Sequence, residues 1–305
     1  MDTTTPFAAM GGAARSVLAA TAGAVVRIGR HGGRGCGLVV GPDAVLTNAH
    51  NLRDRTTEIT FAGGRRAQGA VLAADVDGAL VVLAVDTGDV VPLTWSPEAG
   101  QPGDVVYAVA RTAQGGSRVT VGFVSSVDGR LRGPRGRDTA TTIEHTAPLA
   151  QGSTGGPLLD PEGRLVGVNT SRLEHGFTVA LPADAALRTR VDALLRGESP
   201  LRRTLGLGLA PAEVAARLRA AVGLSPRDGL LVRTVDPNGP AAAGGVLVGD
   251  LVAGAGGAVV TTIGDLHRAL DAATATLDLL VVRGNDELTV TVRFDEIDPD
   301  GAVPA

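Results

Sequence analysis

The sequence contains no lysine, a single cysteine and few aromatic residues, and each shortage excludes a class of chemistry. Because lysine is absent, all 28 basic residues are arginines, which excludes a Walker A phosphate loop and catalysis through a lysine Schiff base. Cys36 has no second cysteine with which to form an intrachain disulfide. Aromatic residues make up only 2% of the chain, so its cores must be built from valine, leucine and alanine.

The spacing of the histidines and the net charge argue against two further kinds of function, metal binding and nucleic-acid binding. The spacing of the five histidines is not that of a zinc site, and we expect neither a metal nor a cofactor; they are His31, His50, His145, His175 and His267. A formal net charge of −4 provides no general attraction for nucleic acid.

The N-terminal segment has the features of neither a signal peptide nor a membrane span. Asp2 stands where a signal peptide carries positive charge, and Arg15 and Arg27 interrupt the apolar run. We therefore expect no membrane span and a cytoplasmic location. A chain trimmed of an export signal would look the same, and its location would then be periplasmic or extracellular.

The distribution of apolar runs predicts β-structure followed by a second unit. Short valine- and leucine-rich runs recur between turn signals from Gly23 to about Val168, and many short strands at such spacing favour a barrel or a sandwich. A helix is predicted in "LPADAALRTRVDALLRG", with Leu187 and Val191 on its apolar face. Beyond the connector "ESPLRR", short strands alternate with two helical segments, Pro211 to Ala221 and Thr262 to Ala273.

Three ordered motifs carry a resemblance to a known family. They are "GLVVGPDAVLTNAHNL", "ALVVLAV" and "GSTGGPLLDPEGRLVGVNT". In this order they resemble the chymotrypsin-fold serine proteases of the HtrA group, over about residues 23–195. The resemblance implies a mainly β fold with two six-stranded β-barrels of trypsin type, followed by a PDZ (α+β) domain.

The same resemblance assigns roles to individual positions, and two of three depart from the family pattern. His50 matches the general base, Ala79 occupies the position of the aspartate that orients it, and Thr154 occupies that of the nucleophilic serine. Asp77 is a candidate substitute acid, although two residues of strand displace it from position 79 by about 6 to 7 Å. A shift of the alignment by two residues would make Asp77 the acid, but it would put Gly78 on a core position and Val82 on a usually polar one. The backbone N–H groups of Gly152 and Thr154 are expected to form an oxyanion hole.

Two rival interpretations of these motifs fit the sequence poorly. The pattern "GSTGG" also matches the nucleophile elbow of α/β-hydrolases, but that motif requires a helix directly after it, whereas "PLLDPEGRLVGV" predicts a hairpin. A cysteine protease would need its thiol at position 154 rather than at Cys36, which we interpret as a packed small side chain.

A second resemblance covers about residues 205–294. The segments "LGLGLAP", "DGLLVRTVDPNGPAAAGGVLVGDLVAGAGG" and "TTIGDLHRAL" resemble a PDZ domain of the HtrA type. Such a domain adds a peptide as an extra strand and holds its carboxylate on backbone N–H groups, and Leu205, Gly206 and Leu207 match the carboxylate loop. Leu266 and Leu270 fall on one face of the following helix, where they contact a peptide or simply pack in the core.

The domain boundaries follow from these resemblances. We predict an N-terminal segment at 1–22, a trypsin-like domain at 23–196, a linker at 197–204, a PDZ domain at 205–295 and a tail at 296–305.

The combined prediction is a peptide-binding pseudoprotease or inactivated protease, whose partners are polypeptides or protein C-termini. The alternative is an active or weakly active serine-type endopeptidase in proteolysis and protein quality control. A third hypothesis makes the barrels a structural base for a PDZ adaptor. The resemblance also suggests a homotrimer formed through N-terminal aromatic residues, for which Phe7 is the candidate.

Overall fold

The computed structural model describes residues 6–30, 34–75, 79–98, 100–132, 138–173, 176–199 and 203–294, without the side chains of 6, 131–132 and 138–140. It divides into two compact units near residue 200. Each unit is described by itself below.

The first unit begins with a closed six-stranded barrel. Its strands are β1 (Val25–Ile28), β2 (Gly35–Gly41), β3 (Ala44–Asn48), β4 (Thr56–Thr60), β5 (Arg66–Asp75) and β6 (Leu80–Ala84), in the order β1-β2-β3-β6-β5-β4. Alternate residues point inward, as strand geometry requires, so Val26, Ile28, Val45, Ile59 and Leu83 fill the interior.

A second closed barrel follows in the same unit. Its strands are β7 (Val105–Arg111), β8 (Ser117–Arg132), β9 (Asp138–His145), β10 (Pro157–Leu159), β11 (Leu165–Arg172) and β12 (Thr178–Pro182), in the order β10-β11-β12-β9-β8-β7. Closure leaves no unpaired sheet edge in either barrel. One apolar cluster joins the barrels, because Cys36 and Leu38 of the first pack with Val109 and Leu159 of the second.

Within the described residues of the first unit, two α-helices flank the barrels. The sequence predicted α2 (Ala185–Leu195), which Asp184 caps by accepting a hydrogen bond from the backbone of Leu187 at 2.8 Å. It did not predict α1 (Pro6–Thr21), where Val17 is buried in the apolar cluster and Phe7 is exposed. No described helix is both long and apolar enough to cross a membrane.

Between residues 203 and 294 the second unit is a sheet with three helices. Its elements are β13 (Leu207–Ala210), α3 (Ala212–Ala221), β14 (Leu230–Val235), α4 (Pro240–Ala243), β15 (Leu251–Ala255), β16 (Ala258–Val259), α5 (Ile263–Ala272), β17 (Thr276–Arg283) and β18 (Asp286–Arg293). The strand order is β13-β14-β15-β17-β18, with β16 paired to β15. Thr262 and Asp265 form a capping box at the start of α5.

Candidate functional site

The catalytic-base candidate, His50, lies in a short 3-10 turn that directly follows β3. This turn covers Ala49–Asn51. Because β3 pairs with β6 in a register that places Asn48 opposite Leu80, the residue before β6 lies beside the turn. The backbone N–H of Ala49 accordingly donates to the carbonyl oxygen of Ala79 at 2.9 Å. The backbone segments that carry positions 50 and 79, which come from separate motifs, are thus hydrogen-bonded to each other.

The imidazole of His50 reaches the nucleophile candidate. Its Nε2 lies 3.3 Å from Oγ1 of Thr154, within reach of a hydrogen bond. Partial burial of the ring and, next, the positive charge of Arg34 lower the pKa of His50 below its ordinary value. The lowered pKa favours the neutral ring at pH 7, the form that a general base requires.

No carboxylate of the described residues is hydrogen-bonded to His50. Ala79 offers only a methyl group, and its φ of 58° lies in the left-handed region. Asp75, the nearest preceding acid described, is buried and accepts hydrogen bonds from the guanidinium of Arg190 at 3.0 and 2.8 Å. Asp77, the candidate substitute acid, lies outside the described residues.

The loop that carries Thr154 is held by backbone contacts that glycine permits. Gly152 and Gly155 have φ of 79° and 85°, a region that residues with a Cβ avoid. A Cβ on Gly155 would lie 2.2 Å from the carbonyl oxygen of Cys36, so no other residue fits there. The N–H of Cys36 donates to the carbonyl oxygen of Thr154 at 2.8 Å and ties the loop to β2.

The oxyanion-hole candidates are the N–H groups of Gly152 and Thr154. Within the described ranges neither group donates to a protein acceptor. Both are therefore available to a developing negative charge on a bound carbonyl oxygen. Their role stays a prediction, since it depends on a ligand.

Sequence reasoning missed Asn51, which lies between His50 and the nucleophile loop. Its side chain is 1% exposed. Nδ2 donates to the carbonyl oxygen of Thr154 at 2.9 Å and to Oγ1 of Thr47 at 3.0 Å, while Oδ1 accepts from Oγ1 of Thr154 at 3.1 Å. The only signal in the sequence was its position directly after the histidine.

A buried polar network beneath the nucleophile loop was also missed. The carbonyl oxygen of Asn169 accepts from the N–H of Gly155 at 2.6 Å and from Nδ2 of Asn48 at 2.9 Å. The side chain of Asn169 donates to the carbonyl oxygens of Gly156 and Pro157 and accepts from Nε2 of His145 at 2.9 Å. This network fixes the backbone on both sides of the site, at the loop and at the end of β3.

Two family models match the chain. The Trypsin-like peptidase domain matches residues 35–168, and the PDZ domain matches residues 205–294. HhoB of Synechocystis sp. is 30% identical over 280 residues, which cover 87% of this chain and 67% of HhoB. The chain belongs to the HtrA family of serine protease homologues.

Further similarities agree with this membership. Serine protease HTRA1A of zebrafish is 28% identical over 281 residues, and this HtrA-family chain spans 58% of its length. The solved HtrA-type protease AlgW with a decapeptide superposes with a TM-score of 0.68 at 20% identity, covering 92% of this chain and 97% of AlgW. The serine endoprotease of Yersinia pestis superposes with a TM-score of 0.67 at 24% identity, covering 93% and 98%. The predicted fold class, two six-stranded barrels and a PDZ domain, is confirmed.

The PDZ domain of this HtrA-family chain presents its predicted loop at the edge of a sheet. Gly206 has a φ of 72° and precedes β13, and Leu207 pairs with Val235 on β14. In the described part of the chain no strand pairs with the other edge of β13, which leaves that edge open to an added peptide strand.

The predicted leucines of the PDZ domain lie in its core. Leu205, Leu266 and Leu270 are 4%, 2% and 5% exposed and belong to one apolar cluster. The core-packing interpretation therefore accounts for these three side chains. Direct contact between them and a peptide stays a prediction.

Proposed function

We propose that this chain is a pseudoprotease that binds polypeptides or protein C-termini without cleaving them efficiently. One observation carries the proposal: His50 contacts the hydroxyl of Thr154 but has no carboxylate partner among the described residues. A base of this kind needs a carboxylate on Nδ1 to hold the productive tautomer and to stabilise the imidazolium that forms.

Each departure from the triad lowers the expected rate. Loss of the orienting acid costs about 10⁴ in rate. The extra methyl of Thr154 restricts its χ1 angle, and a nucleophile displaced by about 1 Å costs about 100-fold. Because losses within a triad are not additive, the two factors are not multiplied. Either one predicts very weak turnover.

Peptide binding needs none of the lost groups. The N–H groups of Gly152 and Thr154 are available to a peptide carbonyl oxygen, and the free edge of β13 can pair with an extended C-terminus. The solved AlgW structure holds a decapeptide, which supports a peptide as the class of ligand.

The proposal is tested by measuring cleavage and active-site labelling. We expect no fragments of unfolded casein and no labelling of Thr154 by a fluorophosphonate probe. We expect the double reversion Ala79→Asp with Thr154→Ser to cleave casein, and the same protein with His50→Ala added to be inactive. Robust cleavage and labelling of the unchanged chain would contradict the proposal.

A weak serine-type endopeptidase is the alternative that one distance favours. The 3.3 Å contact between Nε2 of His50 and Oγ1 of Thr154 is close enough for proton transfer. If residual cleavage is found, Thr154→Ala must abolish it, and Asp77→Asn must lower it if Asp77 serves as the acid. Cleavage that survives Thr154→Ala belongs to a contaminating protease.

A further inference from the structure

The orientation of the Asn51 side chain is fixed by its partners. The carbonyl oxygen of Thr154 can only accept a hydrogen bond, so the side-chain atom that lies 2.9 Å from it must be Nδ2. The hydroxyl of Thr47 donates to the carbonyl oxygen of Cys36 at 2.7 Å, so it in turn accepts from Nδ2 of Asn51. Oδ1 of Asn51 is thereby directed at the hydroxyl of Thr154.

This orientation decides where the hydroxyl proton of Thr154 goes. A hydroxyl has one proton to donate, and two acceptors compete for it: Oδ1 of Asn51 at 3.1 Å and Nε2 of His50 at 3.3 Å. The amide oxygen is buried and has no other hydrogen-bond donor in the described ranges. An unpaired buried acceptor is costly, whereas the partly exposed ring of His50 can form hydrogen bonds with water.

In the hydrogen bond between Thr154 and His50, the histidine must then be the donor. If the hydroxyl donates to Asn51, the remaining way to form the 3.3 Å hydrogen bond is for Nε2 of His50 to carry a proton and donate it to Oγ1 of Thr154. In the neutral ring Nδ1 is then unprotonated. A general base needs the reverse arrangement, with the lone pair on Nε2.

We propose that Asn51 is a positioning residue that holds the hydroxyl proton of Thr154 away from His50 and thereby fixes the imidazole in the unproductive Nε2–H tautomer. It is a third obstacle to catalysis, added to the alanine at position 79 and the extra methyl group at position 154. Its consequence for turnover rests on the proposed function. The tautomer itself is measured separately.

Removing the amide need not disrupt the surrounding structure. Without Asn51, the carbonyl oxygen of Thr154 keeps its hydrogen bond from the N–H of Cys36 at 2.8 Å, and Thr47 keeps its bond to the carbonyl oxygen of Cys36. Leucine has nearly the shape of asparagine, and Asn51→Leu therefore leaves no buried backbone group unpaired. Thr47→Val is a matched control, because it perturbs the same buried cluster without touching the hydroxyl of Thr154.

The first experiment reads the tautomer in the full chain labelled with ¹⁵N-histidine. The ¹⁵N chemical shifts of the imidazole at pH 7.5 distinguish a protonated from an unprotonated ring nitrogen, and His50→Gln identifies the signals. We expect a protonated Nε2 in the unchanged chain and in Thr47→Val, and a shift toward Nδ1–H or averaged values in Asn51→Leu. An unprotonated Nε2 in the unchanged chain would overturn the proposal, as would an equal change in Thr47→Val.

The second experiment measures turnover in the Ala79→Asp and Thr154→Ser background. Adding Asn51→Leu is expected to raise kcat about 10-fold, the value of one competing hydrogen bond, with little change in KM. Adding Thr47→Val is expected to give no such gain. No gain from Asn51→Leu in an active background would contradict the role of Asn51. If the background is inactive, the proposed function has failed at its own test, and the tautomer measurement decides the role of Asn51.

Discussion

Acid should destabilise the first unit through one buried histidine. His145 is fully buried at the end of β9, and Nε2 donates to Oδ1 of Asn169. The amide nitrogen of Asn169 is already used by two carbonyl oxygens, so its oxygen must face the ring and the lone pair of His145 must be on Nδ1. Nδ1 has no hydrogen-bond partner in the described residues. Burial lowers the pKa of His145 from 6.5 to about 4.

The size of the effect follows from the difference in pKa between the folded and unfolded chains. Below pH 6.5 the unfolded chain takes up a proton at position 145 that the folded chain does not, so stability falls as the pH falls. The loss ends near pH 4, where folded His145 also binds a proton. A pKa difference of about 2.5 at about 1.4 kcal/mol for each pH unit gives a loss of about 3 kcal/mol between pH 7 and pH 4.

Urea unfolding at several pH values tests this prediction. Trp95 is the only tryptophan of the chain and lies in the first unit, so its fluorescence reports the unfolding of that unit. His145→Gln keeps a donor for Asn169 and removes the titration. We expect the unchanged chain to lose about 3 kcal/mol more than the variant between pH 7 and pH 4. Parallel losses in both proteins, or an NMR titration of His145 centred near pH 6.5, would refute the reasoning.

Three further predictions concern the scaffold of the first unit. Gly155→Ala should lower the free energy of unfolding in urea by at least about 3 kcal/mol, because it combines left-handed backbone strain with a Cβ placed against the Cys36 carbonyl. Gly63 also has a left-handed backbone but lies in open space, so the control Gly63→Ala should lower the free energy of unfolding by only about 1 kcal/mol. Burial raises the pKa of the Cys36 thiol to about 11, so iodoacetamide should label it in urea but not in the native protein at pH 8, and rapid native labelling would contradict this. Asp75→Asn should lower the free energy of unfolding by about 3 kcal/mol, because it removes the buried carboxylate that pairs with the guanidinium of Arg190. A loss below about 1 kcal/mol, as expected for an exposed pair, would show that the pair is weak.

The sequence predicted the parts of the site that depend on motif order. His50 ends up beside both Ala79 and Thr154 because the three motifs lie at fixed places in the barrels, and the glycine at position 155 is required by close contact with the backbone of β2. The spacing of residues within a motif depends only on the local sequence, so a single sequence is enough to predict it. The capping box at Thr262 was predictable for the same reason.

The contacts between distant residues could not be predicted. Asn51 contacts Thr154, which is 103 positions away in the sequence, and the orientation of its amide is set by the backbone carbonyl oxygen of Thr154. The orientation of His145 likewise depends on Asn169, which belongs to another strand. Helix α1 was missed because Gly11 and Gly12 lower its intrinsic helix propensity, so that its stability must come from packing against the barrels.

The left-handed backbone at Ala79 affects how well an aspartate would fit at this position. An alanine held at a φ of 58° is strained by about 1 kcal/mol or more. Aspartate is several-fold enriched over most residues in this region of backbone space. Ala79→Asp would therefore suit the left-handed main chain better than alanine does, and it would supply a carboxylate on the segment whose backbone is hydrogen-bonded to the turn that carries His50.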